Sequence, residues 1–120
     1  MKKKIICFDL DGVICFTKKN FYKKSKPNIK AIEKINNLHQ KGYEIKIFTS
    51  RFMGRCNENI TCAKRRGYEF TKKQLKSWNV KYDKLIFGKP SYNLYVDDKA
   101  IFYSSTLQQK IIKVIKKIKR

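Results

Sequence analysis

An α/β fold, with a Rossmann-like parallel sheet sandwiched by helices, is what this 120-residue chain predicts. Three observations carry that expectation. Short apolar runs alternate with helical periods, the pattern of strand-helix-strand units. Carboxylate, hydroxyl and ammonium side chains fall at or just beyond the ends of those runs, where sites in parallel sheets lie. The length suits one domain over residues 1–120, with a core large enough to need no disulfide staples. No repeat or low-complexity linker divides it.

Each element has its own signal. Residues 4–10 (KIICFDL) predict a buried strand, with Cys7 as a small buried residue. Pro27 and Asn28 open a helix that places Ala31, Ile32, Ile35 and Leu38 on one face, and Gly42 stops it. Residues 43–48 (YEIKIF) alternate as a strand ending at Thr49-Ser50-Arg51. The stretch 52–67 shows no clear period and is expected to be mostly loop. Thr71 and Gln74 make a T-x-x-Q capping box, flanked by Phe70 and Leu75, so a helix should start there, bury Leu75 and Trp78, and stop near Asn79. Short strands are expected at 84–87 and 93–96. A basic helix from Leu107 should pack Ile111, Val114, Ile115 and Ile118 on the sheet.

Composition narrows the function classes. Lys and Arg total 30 against 9 acidic residues, a net charge of +21. Lysines crowd 18–30, 64–76 and 110–120, which suits nucleic acid, an acidic membrane or an anionic substrate. Heavy use of Lys, Ile and Asn together accounts for the excess more simply as compositional drift. Either origin draws in a phosphorylated substrate. Only about seven mostly apolar residues follow the opening lysines, interrupted by two aspartates, so neither a signal peptide nor a membrane span is expected, and the chain is expected to be cytoplasmic. Cys7, Cys15, Cys56 and Cys62 lack C-x-x-C spacing and His39 stands alone, so no zinc site is expected and all four thiols should be reduced.

The scarce acids are concentrated. Four of the nine form Asp9/Asp11 and Asp97/Asp98, each pair closing an apolar run. Asp9 and Asp11 project to the same side of an extended strand. One can attack phosphorus and the other can shuttle the proton. Thr49 offers a hydroxyl and Lys89 a compact charge to a phosphoryl group. Asp97 and Asp98 would complete an oxygen-rich cradle for Mg2+, which offsets repulsion between carboxylates and phosphate.

The segments FDLDGV, IFTSR, GKP and LYVDD, in that order over residues 4 to about 101, resemble the four motifs of the haloacid dehalogenase superfamily of phosphohydrolases. The resemblance implies an aspartyl-phosphate on Asp9, proton transfer by Asp11, and phosphoryl contacts from Thr49, Ser50, Arg51 and Lys89. It implies Mg2+ held by Asp9, Asp11 through its carbonyl, and Asp97, with Asp98 in support. No room is left for a cap domain. The segments TSR, 72–86 and 88–100 are further similar to small sugar-phosphate phosphatases of bacterial capsule or surface-polysaccharide synthesis, with Asn93 where an aspartate is expected. A capless chain would read its substrate through residues 52–67 or through a neighbouring subunit, which makes a homo-oligomer an expected partner.

Two other orders are disfavoured. A receiver domain carries its acidic pair first and its lone phospho-accepting Asp later. A P-loop fails because Pro90 follows Gly88-Lys89. The alternatives are a nucleotide or polynucleotide phosphatase, or a basic nucleic-acid-binding module without activity.

Overall fold

The computed structural model describes residues 4–104 and 107–117. In chain order these form β1 (Ile5–Asp9), β2 (Cys15–Phe16), a 3-10 turn (Tyr22–Lys24), β3 (Lys26–Pro27), α1 (Ile29–Gln40), β4 (Glu44–Thr49), α2 (Ile60–Ser77), β5 (Lys84–Phe87) and α3 (Leu107–Lys117). The mixed α/β fold expected from the alternation is present: β1, β4 and β5 make a parallel sheet with β4 central, flanked by three helices. A two-stranded antiparallel ribbon of β2 and β3 follows β1.

Parallel register aligns Phe8 with Ile47, Ile47 with Leu85, and Thr49 with Phe87. Strand alternation therefore puts Ile6, Phe8, Ile45, Ile47, Leu85 and Phe87 on one buried face. The opposite face is covered unevenly. Phe48 and Ile86 are half-buried, whereas Ile5 is 48% exposed on the edge strand. Cys7 shares that open face and is exposed, not buried as expected.

Asn28 caps α1 through Oδ1, which accepts the Ala31 N–H at 3.4 Å. Ala31, Ile32, Ile35 and Leu38 enter the core, and Gly42 takes the left-handed conformation (φ +97°) that ends the helix. The basic helix α3 packs against α1, and its Ile115 carbonyl accepts from Lys4 Nζ just before β1. Ile111 is buried there, while Val114 stays 38% exposed. Ile118 lies outside the described residues.

Three further expectations change. First, α2 begins at Ile60, capped by Asn59, whose Oδ1 accepts the Cys62 N–H at 2.8 Å, so Thr71 and Gln74 lie within the helix. Its buried stripe is Ala63, Gly67, Thr71 and Leu75, three of them too small to register as a hydrophobic period. Gly67 would be costly in a helix interior, yet a Cβ there would overlap the ring of Phe52. Second, Cys56 and Cys62 are joined in a disulfide, leaving Cys7 and Cys15 as the free thiols. Third, residues 93–96 pair with no strand, and Leu94 and Val96 are 81% and 86% exposed.

Candidate functional site

Asp9 ends β1 beside Phe48, the penultimate residue of β4. A tight turn follows. The Leu10 carbonyl accepts the N–H groups of Val13, Ile14 and Cys15, and Gly12 supplies the positive φ (+94°) the turn needs. Asp9 Oδ1 accepts the Leu10 N–H at 2.9 Å, and Lys89 Nζ lies 3.5 Å from Oδ2. Burial pushes the Asp9 carboxyl above its ordinary value, against the opposing pull of Lys89 and the Leu10 N–H. Burial also works against the charge of Lys89, but Tyr92 and Asp9 outweigh it and hold Lys89 above its ordinary value. The rings of Tyr92 and Tyr95 stand 5.1 and 5.0 Å from the Lys89 ammonium, which steadies a buried cation.

Thr49, at the end of β4, is 1% exposed. Its hydroxyl oxygen accepts the Arg51 N–H at 3.1 Å, which leaves its own hydrogen to donate. The Thr49 carbonyl accepts the Lys89 N–H at 3.2 Å, tying the two strand ends together. Ser50 is half-buried beside them, and its carbonyl accepts the Met53 N–H.

Arg51 turns inward. Its side chain is fully buried, and its fork grips Asp11: Nε donates to Oδ2 and Nη2 to Oδ1, both at 2.9 Å. Nη1 donates to Gln74 Oε1 (2.7 Å) and Thr71 Oγ1 (3.2 Å), and the guanidinium sits 4.8 Å from the Tyr22 ring centroid. The T-x-x-Q pair is therefore the receptor of Arg51, because i,i+3 spacing serves one helix face as well as a capping box. With every guanidinium nitrogen engaged, Arg51 orients Asp11 rather than offering a free fork to phosphate. Thr17 Oγ1 also donates to Asp11 Oδ1 (2.5 Å), and Cys15 Sγ lies 3.4 Å from the same oxygen. Burial and the neighbouring Asp11 push the Cys15 thiol up to about 11. It stays protonated and unreactive.

The second acid pair is placed differently. Asp97 and Asp98 are exposed, and Asp97 Oδ1 accepts the Lys99 N–H at 2.9 Å within its own turn. That N–H contact holds the Asp97 carboxyl below its ordinary value. Among the described residues, no three His, Cys, Asp or Glu side chains gather as a metal-holding group. Both carboxylate oxygens of Asp11 accept from Arg51, so the expected metal contact of this residue is its backbone carbonyl. The arrangement thus brings Asp9, Asp11, Thr49, Arg51 and Lys89 together, and does not gather Asp97 and Asp98 with them into a metal-holding group.

Two open clefts share a wall, and one of them reaches the end of β4. One, of about 610 Å³, runs from Ser50 and Tyr92 to Tyr22, Phe52 and Arg55. The other, of about 590 Å³, shares Tyr22, Phe52 and Arg55 and continues to Phe21, Phe70 and Arg66. Arg55 lies over the Tyr22 and Phe52 rings at 5.7 and 5.2 Å. The sequence pointed to 52–67 as a substrate-reading stretch but not to its aromatic partners at 21 and 22. The signal was the interleaving of Phe21 and Tyr22 with Lys18, Lys19, Lys23 and Lys24.

No family model matches the chain, and no curated protein matches it. Among solved structures, it is similar to a structural-genomics target from Vibrio cholerae, with 26% identity, a TM-score of 0.82, and 95% of this chain and 98% of that chain covered. It is also similar to a chain of the Pnkp1/Rnl/Hen1 complex, with 20% identity, a TM-score of 0.53, and 81% and 31% covered. A second structure, the Pnkp1/Rnl/Hen1 RNA repair complex, gives 17% identity, a TM-score of 0.52, and 97% and 32% covered. The last two likenesses concern the fold, and the chain spans about a third of those chains. No helix among the described residues is long and apolar enough to cross a membrane.

Proposed function

We propose that this protein is a phosphatase that hydrolyses a phosphate monoester through an aspartyl-phosphate on Asp9. One observation carries the reading: Asp9 stands at the carboxyl end of β1 with the Lys89 ammonium 3.5 Å from Oδ2, in a sheet whose next strand ends in Thr49 with a hydroxyl proton to donate. A carboxylate oxygen attacks phosphorus while Lys89 and Thr49 stabilise the charge on the transferring oxygens. Asp11 passes a proton to the leaving oxygen and later takes one from water. For that, one arm of its fork with Arg51 must loosen.

The reading keeps Mg2+ as a proposed requirement, because carboxylates and a phosphate dianion at one point need a cation. The described arrangement does not itself gather the four carboxylates. A sugar phosphate of capsule synthesis, suggested by the motif resemblance, finds no support of its own in the aromatic and basic walls of the clefts. A related fold within an RNA repair complex keeps a phosphorylated polynucleotide end inside the same reading.

The test is turnover of an aryl phosphate by wild type and Asp9→Asn, with Mg2+ present and after chelation. Wild-type turnover that falls about 10⁴-fold or more in the variant is expected. Comparable turnover by the two proteins would remove Asp9 from the chemistry. Turnover that survives chelation would remove the metal.

A further inference from the structure

The two clefts share Tyr22, Phe52 and Arg55 in their walls and so adjoin as one trough, whose inner end reaches Ser50 and Tyr92. We infer that this trough is a nucleobase-stacking subsite, and that the substrate read by the site is a single-stranded oligonucleotide carrying a terminal phosphate. The inference rests on the phosphatase reading for what happens at Asp9, but on the trough alone for what is bound.

The rings come from separate elements. Phe21 and Tyr22 flank the start of the 3-10 turn, Phe52 lies in the loop after β4, and Phe70 is on α2. Tyr22 and Phe52 are tilted rings 5.0 Å apart, so they are fixed relative to each other. Phe21 stands 56% exposed at the outer cleft, a large apolar face with no structural reason to meet water. Phe52 holds a left-handed φ (+66°), rare for a bulky residue, and its ring is seated on Gly67.

Cations are interleaved with the rings. Lys23, Lys24 and Arg66 line the outer cleft and Arg55 lines both, while neither wall contains an acidic residue. Arg55 Nη2 also donates to the Asn20 carbonyl at 3.0 Å, which holds the guanidinium plane above the rings. Aromatic faces that accept bases, alternating with cations that track a phosphate backbone, are the chemistry of single-strand recognition. The inner end of the trough reaches Ser50 and Tyr92, the neighbours of Thr49 and Lys89, so a terminal phosphate at Asp9 leaves the preceding nucleotides over the Arg55 guanidinium and the exposed Phe21 ring.

Fluorescence anisotropy tests this with a short single-stranded RNA bearing a terminal phosphate, set against an abasic strand of the same length and charge. The base-containing strand should bind more tightly by at least about fivefold per stacked base. Phe21→Ala should shrink that difference. Arg66→Gln, an exposed helix position, should lower the slope of log affinity against log salt by about 1 for both strands. Equal binding of the two strands, or a difference that Phe21→Ala leaves intact, would overturn the inference. Failure of the phosphatase reading shows separately, as absent turnover of an aryl phosphate by wild type, on which the binding comparison does not depend.

Discussion

The two acid pairs of this chain have similar sequence settings and opposite structural ones. Asp9 and Asp11 are locked: the first by the Leu10 N–H and Lys89, the second by both arms of Arg51 and the Thr17 hydroxyl. Asp97 and Asp98 follow an equally apolar run, yet they stand exposed on a segment that pairs with no strand. The difference teaches that a carboxylate becomes part of a site through what its neighbours donate to it. An apolar run followed by acids reports only that a strand could end there.

The contrast is sharpest for stability. Arg51→Met leaves Asp11 without its fork and strands Gln74 and Thr71, and should cost about 3 kcal/mol in urea unfolding, the low end for breaking a buried pair because Asp11 keeps some solvent access. Asp97→Asn and Asp98→Asn should leave the unfolding midpoint where it is. Loss of stability in these two variants alongside tolerance of Arg51→Met would invert the comparison.

The Cys56–Cys62 bond sits on the locked side as well, clipping the loop after β4 to the first turn of α2. Closing so short a loop is worth about 2 kcal/mol through the unfolded chain. Thermal unfolding with and without a thiol reductant should differ by that amount. The double variant Cys56→Ser/Cys62→Ser should be insensitive to reductant.

A smaller effect separates Asp9 from its cation. Burial raises the Asp9 carboxyl and Lys89 opposes that rise. The proposed nucleophile must be ionised, so the ascending limb of the pH–rate profile is expected to follow this group. Lys89→Met removes a positive charge that favours the ionised form, so the carboxyl rises further and the limb moves to higher pH. An unmoved limb, in a variant that still turns over, would assign the limb to another group.

Much of the locked half was legible because strand ends write themselves twice, once as an apolar run that stops and once as the polar residue that stops it. Asp9, Thr49 and Lys89 were found this way, and the register places them at neighbouring strand ends. Arg51 was visible as a strand-end residue but not as a buried one, since its partners Thr71 and Gln74 carry a spacing shared by a capping box and one helix face. The first three turns of α2 were missed because Ala63, Gly67 and Thr71 are buried but too small to register as an apolar period, Gly67 making room for the Phe52 ring. Leu94 and Val96 alternate as a strand would, but alternation speaks of faces, not of a pairing partner.

In the proposed mechanism Asp9 takes the phosphoryl group. Acid quenching during turnover of an aryl phosphate, followed by peptide mass mapping, tests it directly. An acyl phosphate is expected on the peptide carrying Asp9 and should be lost in Asp9→Asn. Turnover with no adduct at Asp9, or an adduct carried by another residue, would contradict it.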